Sequence, residues 1–182
     1  EYCENGDLLD FLISHDFQNE KEKRDIIKGI ISAIQYLHNN GISHGDIKPE
    51  NVLLDKNMKP KLCDFGFAKL TKTAGDEAKN GTLYYAAPEL FLKGKFDTLK
   101  TDIWSIGITL YCLSENNFPY KNGNAKYVIE QITSGCLRIS PSISDSLRKV
   151  VERCTDLKPE NRPTIEELMK YEYFSTYDDI CQ

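Results

Sequence analysis

The sequence lacks long hydrophobic runs and a surplus of positive charge. No stretch approaches the roughly 18 apolar residues that a membrane-spanning helix requires, and the first residues do not resemble a signal peptide. Lys and Arg together number 23 against 28 Asp and Glu, which gives a formal net charge of −5. We therefore expect neither a membrane span nor the basic patch with which a protein binds nucleic acid.

The cysteines lack the spacing of a metal site, because no CxxC pair occurs among the six. Their even number would allow disulfides, but a chain of 182 residues with 40% hydrophobic content can build a core without them. We interpret them as reduced thiols, which favours the cytoplasm and leaves the nucleus open. The six are Cys3, Cys63, Cys112, Cys136, Cys154 and Cys181.

Hydrophobic periodicity predicts an α+β fold that is mostly α-helical. The clearest helix has isoleucines at spacings of three and four and ends before Gly41. A second is apolar nearly all round, which places it in the centre of a domain. Two short strands, at 52–54 and 61–63, flank turn residues and form a small β-hairpin element. The predicted helices span 7–14, 22–40, 99–113, 125–133, 144–154 and 164–170.

Two motifs carry most of the functional information. Residues 44–51 read HGDIKPEN, and residues 64–66 read DFG. They resemble the catalytic loop and the metal-binding loop of eukaryotic-type protein kinases. The resemblance runs from residue 1 to about residue 174 and implies the C-terminal lobe of a Ser/Thr protein kinase domain, followed by a tail at 175–182. A calcium/calmodulin-dependent or AMP-activated type is one option within the family.

The resemblance implies roles for five residues in phosphoryl transfer. Asp46 corresponds to the base that orients the substrate hydroxyl and accepts its proton, and Lys48 to the cation that offsets charge on the transferred phosphate. Asn51 and Asp64 correspond to the Mg²⁺ ligands. Thr82, together with Lys48, is typical of kinases that act on Ser and Thr in proteins.

The same resemblance implies an ATP site at the start of the chain. The Glu1 carbonyl and the Cys3 amide would bind adenine, Asp7 would reach the ribose, and Leu53 would form the apolar floor. Cys63, next to Asp64 in the sequence, is either a small core residue or a reactive thiol that lines this site.

Other matched residues are expected to support the loops. Asp102 corresponds to the aspartate that holds the catalytic loop's backbone, and Arg162 to the arginine that pairs with Glu89. His44 and Phe65 would pack behind the catalytic loop.

The remaining aromatic residues and histidines are given no part in the chemistry. Trp104, Tyr84 and Tyr85 are interpreted as packing residues, and no role is assigned to His15 or His38.

The sequence also departs from the family pattern. It contains no Gly-rich phosphate loop and no strand lysine, so we expect a piece of a longer product that binds nucleotide poorly by itself. An apolar surface around Leu8, Val52, Leu53 and Phe65 would then be exposed. The alternative function is a non-catalytic scaffold that uses the helical lobe for docking.

Gly45 stands where most kinases carry an arginine that pairs with a phosphate on the activation segment. Ala78 stands where many carry that phosphosite. We therefore predict activity without phosphorylation of this segment. Mapping phosphate on Thr71 and Thr73 tests it: high occupancy, with activity lost on substitution by Ala, would contradict the prediction.

Overall fold

The computed structural model describes residues 1–15, 17, 20–71 and 83–175. The predicted polar loop at 71–81 and the tail at 175–182 lie outside the described residues, apart from Thr71 and Ser175.

Six α-helices, together with short 3-10 turns, form more than half of the described structure, which confirms the predicted α+β, mostly helical class. The third is the predicted apolar helix, and it has buried residues on every side. The helices are α1 (Leu8–Ser14), α2 (Glu20–Asn39), α3 (Thr98–Glu115), α4 (Ala125–Ser134), α5 (Asp145–Cys154) and α6 (Ile165–Leu168).

Helix starts differ from the predicted ones because three polar residues cap the helices from outside. Asp7, Ser144 and Thr164 each accept a backbone N–H of the first turn through a side-chain oxygen. At Thr164 the Glu167 side chain also accepts the Thr164 N–H, which completes a capping box. The predicted helix at 164–170 begins one residue later for this reason, and it ends two residues earlier, at Leu168.

Within the described residues, four short strands form two antiparallel pairs. The predicted hairpin is present as β2 (Val52–Leu54) and β3 (Pro60–Leu62), with Val52 opposite Leu62. The second strand begins one residue earlier than predicted. The other pair, β1 (Ile42–Ser43) and β4 (Lys69–Leu70), was not predicted, because strands of two residues show no periodicity.

The core lies where α2 and α3 pack against α5 and the hairpin. The α2 isoleucines face inward as their spacing predicts. At Gly107 of α3, a Cβ would lie 2.6 Å from Cys154 Cβ of α5, so glycine permits this close helix crossing. The predicted exposed apolar surface is partly wrong: Leu8 and Val52 are fully buried in this core, while Phe65 is exposed.

A buried ion pair joins the segment before α3 to the segment before α6. Arg162 donates from Nη1 to Glu89 Oε1 at 2.6 Å and from Nη2 to Oε2 at 2.8 Å. Its Nε donates to the Asp156 carbonyl at 2.9 Å, and the guanidinium lies 5.0 Å from the centre of the Trp104 ring. Arg162 is 1% exposed, so the pairing predicted from the sequence forms inside the protein.

Substituting Arg162 by Met should lower the free energy of unfolding by about 3–5 kcal/mol, because Glu89 would keep its charge without a partner. Urea denaturation of the native protein measures this. Lys21 forms an exposed pair with Asp25 at 4.0 Å, and Lys21→Met should cost no more than about 0.5 kcal/mol. Equal losses for the two variants would contradict the prediction.

Candidate active site

Asp46 is the centre of a polar cluster in the loop between β1 and β2. Its Oδ2 accepts from Lys48 Nζ at 2.7 Å and from Asn51 Nδ2 at 2.9 Å. Asn51 Nδ2 also donates to the Asp46 carbonyl at 2.7 Å. The short helical turn Pro49–Asn51 makes these contacts possible, since it folds the chain back before β2 begins. The structure thus brings together three of the residues that the motif singled out.

The hairpin places Asp64 beside this cluster. The ladder continues past Val52 through a bond from the Cys63 N–H to the Asn51 carbonyl at 3.0 Å, and Asp64 is the residue after Cys63. Asp64 has the left-handed conformation, with φ 55° and ψ 74°, and its Oδ1 accepts the Gly66 N–H at 3.2 Å. A non-glycine residue in this conformation is strained, and such strain is common at functional sites.

The donors present suit a hard cation. Because the Asn51 amide nitrogen faces Asp46, its oxygen is directed away from that carboxylate. The Asp64 carboxylate is exposed and offers a second oxygen donor. Within the described residues, no group of three or more His, Cys, Asp or Glu could hold a metal ion. Two oxygen donors are nevertheless what a Mg²⁺ ion bound mainly to phosphate and water requires.

Asp102 of α3 holds the loop from beneath. Its Oδ2 accepts the His44 N–H at 2.8 Å, and its Oδ1 accepts the Gly45 N–H at 2.9 Å. His44 in turn uses Nε2 to contact the Cys63 carbonyl at 2.9 Å, and its ring centroid lies 5.0 Å from that of Phe65. One buried carboxylate and one buried imidazole therefore connect the catalytic loop to the DFG loop.

Gly45 allows the two loops to meet backbone to backbone. Its φ is +82°, a conformation that favours glycine, and a Cβ there would lie 2.7 Å from the Phe67 carbonyl oxygen.

The residues predicted to bind nucleotide lie along the edge of the hairpin. Leu53 pairs with Lys61 on one side and forms a bridge with Asp7 on the other. Glu1 is exposed and lies 3.3 Å from Lys61 Nζ, while Cys3 is partly buried. Sequence reasoning missed a second task of Asp7, whose Oδ1 accepts the Asp10 N–H at 2.9 Å and caps α1.

Cys63 has the features of a packing residue. Burial raises the pKa of its thiol, and the neighbouring Asp64 charge raises that pKa further. A raised pKa keeps the thiol protonated and therefore weakly nucleophilic. These features favour the first of the two interpretations made from the sequence.

Two sequence assignments have other outcomes. Thr82 lies outside the described residues. His38, to which no role was assigned, contacts Asp102 Oδ2 through Nε2 at 2.9 Å, so that reading was wrong. The sequence around His38 does not indicate this contact, because Asp102 lies on a different helix. Tyr84 and Tyr85 both pack on Phe118, as expected of packing residues.

Comparison with known proteins agrees with this geometry. The family model described as protein kinase domain matches residues 1–174. The chain therefore belongs to the protein kinase domain family, and the resemblance to eukaryotic-type Ser/Thr kinases is confirmed. Membership implies ATP as the phosphate donor and, in general, a divalent metal ion.

Three relatives carry kinase names. The serine/threonine-protein kinase kin-29 of Caenorhabditis elegans is 35% identical over 99% of this chain and 22% of its own length. The carbon catabolite-derepressing protein kinase of Secale cereale is 36% identical over 96% of this chain and 35% of its own. The serine/threonine-protein kinase cds1 of Schizosaccharomyces pombe is 33% identical over 97% of this chain and 41% of its own length. The chain thus spans less than half the length of each.

Substituting Gly45 by Ala should lower both kcat and the free energy of unfolding, because the new Cβ would displace the Phe67 carbonyl and with it the DFG loop. Gly6→Ala is the matched control: Gly6 has φ +69° but nothing within 4 Å of its Cβ position. We expect the control to cost about 1–2 kcal/mol for the left-handed backbone. Gly45→Ala should cost about 1–3 kcal/mol more.

Thermal or urea unfolding and phosphoryl-transfer kinetics of the native protein supply the measurements. If both variants lose the same stability and keep the same kcat, Gly45 is required only for its backbone conformation, and the loop-contact explanation is wrong.

Proposed function

We propose that the protein containing this chain transfers the γ-phosphate of ATP to Ser or Thr hydroxyls of a protein substrate. The observation that carries the proposal is the cluster in which Lys48 and Asn51 both donate to one carboxylate oxygen of Asp46, while Asp64 follows two residues after the end of β3. Phosphoryl transfer depends on this kind of positioning more than on covalent chemistry.

Asp46 is the residue that would orient the acceptor hydroxyl. As the O–P bond forms, the bond from the γ-phosphorus to the β,γ-bridging oxygen breaks, ADP leaves, and the hydroxyl proton passes to the Asp46 carboxylate. Lys48, whose Nζ lies 2.7 Å from Asp46 Oδ2, would keep its ammonium group beside the phosphoryl group during transfer. Asn51 restrains Asp46 through its two bonds to that residue.

Mg²⁺ is the metal ion that we propose for this site, with Asn51 and Asp64 as its protein ligands. When bound, it would neutralise charge on the phosphates. The left-handed backbone at Asp64 and its bond from Gly66 fix the direction of that carboxylate before any ion arrives.

The nucleotide and substrate assignments belong to the same proposal. Glu1 and Cys3 would present backbone groups to adenine, Leu53 would support the ring, and Asp7 would combine capping of α1 with contact to the ribose. Thr82 is proposed as part of the Ser/Thr-specific machinery. The thiols of the chain suggest a reducing compartment, the cytoplasm or the nucleus.

A scaffold without catalytic activity is the weaker alternative. It would require the helical core and an outer surface, but it would have no use for a strained Asp64 or for an Asn51 amide oriented by Asp46. No relative reported above carries a scaffold's name, and all three are named as protein kinases.

Substituting Asp64 by Asn in the intact native protein should reduce kcat at least about 100-fold, because one metal ligand loses its charge. Transfer of labelled phosphate from ATP to a Ser/Thr peptide library measures this. Asp25→Asn, at an exposed carboxylate on α2, is the matched control and should leave kcat unchanged.

The same variants separate the two functions. A scaffold predicts that the wild-type protein transfers no phosphate and that Asp64→Asn changes neither its transfer nor its binding to partners. Full activity in Asp64→Asn would also contradict the proposed metal site.

A further inference from the structure

Asparagine followed by glycine is the pair of residues at which a protein backbone most readily attacks a side chain of its own. The backbone nitrogen after the asparagine can reach the amide carbon, and glycine has no side chain that hinders the approach. The sequence contains four such pairs, which begin at Asn5, Asn40, Asn80 and Asn122. The third lies outside the described residues. The other three asparagines are all exposed, so exposure does not distinguish them, whereas the hydrogen bonds around each pair do.

The Asn5–Gly6 pair is held at both reacting groups. Asn5 Nδ2 donates to the Asp55 carbonyl at 2.7 Å, which directs the side-chain amide towards the hairpin turn. The Gly6 N–H donates to the Cys3 carbonyl at 3.3 Å, and Gly6 has φ +69°. The nitrogen that would attack is therefore engaged in one hydrogen bond, and the amide that it would attack is engaged in another.

The Asn40–Gly41 pair is restrained in the same way. Asn40 Nδ2 donates to the Tyr36 carbonyl at 2.7 Å, and the Gly41 N–H donates to the His38 carbonyl at 2.9 Å. Gly41 has φ +68°, so the chain turns here directly after α2. Both of these pairs would have to open locally before the backbone nitrogen could reach the amide carbon.

The Asn122–Gly123 pair, which precedes α4, has neither restraint. Within the part of the chain that the structure describes, no hydrogen bond involves the Asn122 side chain or the Gly123 N–H. Glycine is required at this position by packing, because a Cβ there would lie 2.5 Å from Tyr127 Cδ1 of α4. The packing of α4 therefore keeps an unhindered backbone nitrogen next to an exposed amide that forms no hydrogen bond.

Both flanks of this pair are fixed by α4. The Lys121 N–H donates to Gln131 Oε1 at 2.8 Å, and Gln131 Nε2 donates to the Lys121 carbonyl at 3.0 Å. On the other side, Asn124 caps α4, since its Oδ1 accepts the Tyr127 N–H at 2.9 Å. A change of backbone length at Asn122 therefore has to move one of these two anchors.

We propose that Asn122 is a site of spontaneous deamidation and that the reaction loosens the start of α4. The Gly123 nitrogen loses its proton and forms a bond to Asn122 Cγ, while the bond from Cγ to the side-chain nitrogen breaks and ammonia leaves. Water then adds to one of the two carbonyls of the resulting succinimide ring. Opening of the ring at Cγ gives aspartate, and opening at the main-chain carbonyl gives isoaspartate. Either product adds one negative charge.

Isoaspartate is the product that disturbs the structure, because it adds a carbon atom to the backbone between Lys121 and Asn124. We expect Asn124 to shift and its cap on α4 to be lost. The buried residues of α4 include Val128 and Ile132, which pack in one cluster with Tyr85. Loosening of α4 would therefore reach the segment that precedes α3.

The first experiment incubates the intact native protein in mildly alkaline buffer and measures deamidation at each pair by mass spectrometry of its peptides. We expect Asn122 to react at least about tenfold faster than Asn5 and Asn40, because the latter two must first break their hydrogen bonds. The same incubation in concentrated urea is the control. Unfolding removes the hydrogen bonds, so the three rates should become similar.

A second experiment follows the effect on α4. Ion-exchange chromatography separates the deamidated protein by its added charge, and an isoaspartate-specific methyltransferase identifies the fraction that contains isoaspartate. Amide hydrogen exchange in α4 should be faster in that fraction than in the unreacted protein. Asn122→Gln should abolish the reaction at this position, since the longer side chain would have to close a larger ring. Asn39→Gln, at an exposed asparagine that no glycine follows, should age as the wild type does.

Two results would overturn the proposal. Equal deamidation rates at Asn5, Asn40 and Asn122 in the folded protein would show that hydrogen bonds do not select among the pairs. Faster reaction at Asn122, with unchanged hydrogen exchange in α4, would show that the helix tolerates the longer backbone. Neither measurement uses ATP, so both are independent of the proposed function.

Discussion

The carboxylate of Asp102 is the constraint on which the rest of the site depends. It is buried in the central helix α3, so its charge must be satisfied by donors that the protein supplies. Those donors are two backbone amides of the catalytic loop and the His38 imidazole. The need to satisfy one buried charge therefore sets the path of the loop, and the loop sets the position of Asp46.

The catalytic loop is connected to Asp102 by hydrogen bonds, and the DFG loop is connected to the catalytic loop by a hydrogen bond and by close backbone packing. His44 joins the catalytic loop to the carbonyl that precedes Asp64, and Gly45 lets the two backbones touch. The result is a site held from below by α3 and from the side by the DFG turn. Rigid support of this kind suits a reaction in which the protein's contribution is orientation and charge.

The Glu89–Arg162 ion pair is a second buried charge interaction, and it lies outside the cluster around Asp46. It fixes the segment around Glu89, before α3, against the end of the helical core. Arg162 also contacts two carbonyls and the Trp104 ring, so most of its hydrogen-bonding capacity is used inside the protein. Buried charges thus hold both the catalytic loop and the segment before α3 in place.

The sequence by itself determined the helical core and the chemistry of the site. Isoleucine spacing predicted α2, and continuous apolar character predicted the buried α3. The resemblance of two short motifs to kinase loops singled out Asp46, Lys48 and Asn51, which the structure brings together. These features are local, because a helix face and a loop motif depend on residues close together in the chain. Strands of two residues leave no such pattern, so β1 and β4 were missed.

Only the tertiary structure decided which distant residues share an atom. His38 and Asp102 lie on separate helices, and no periodicity indicates that they meet. Gly45 and Phe67 approach within van der Waals distance for the same kind of reason, since their contact depends on how two loops pack. The candidate site residues lie in short motifs of the sequence. The contacts that fix the catalytic loop are long-range ones, formed around the buried carboxylate of Asp102.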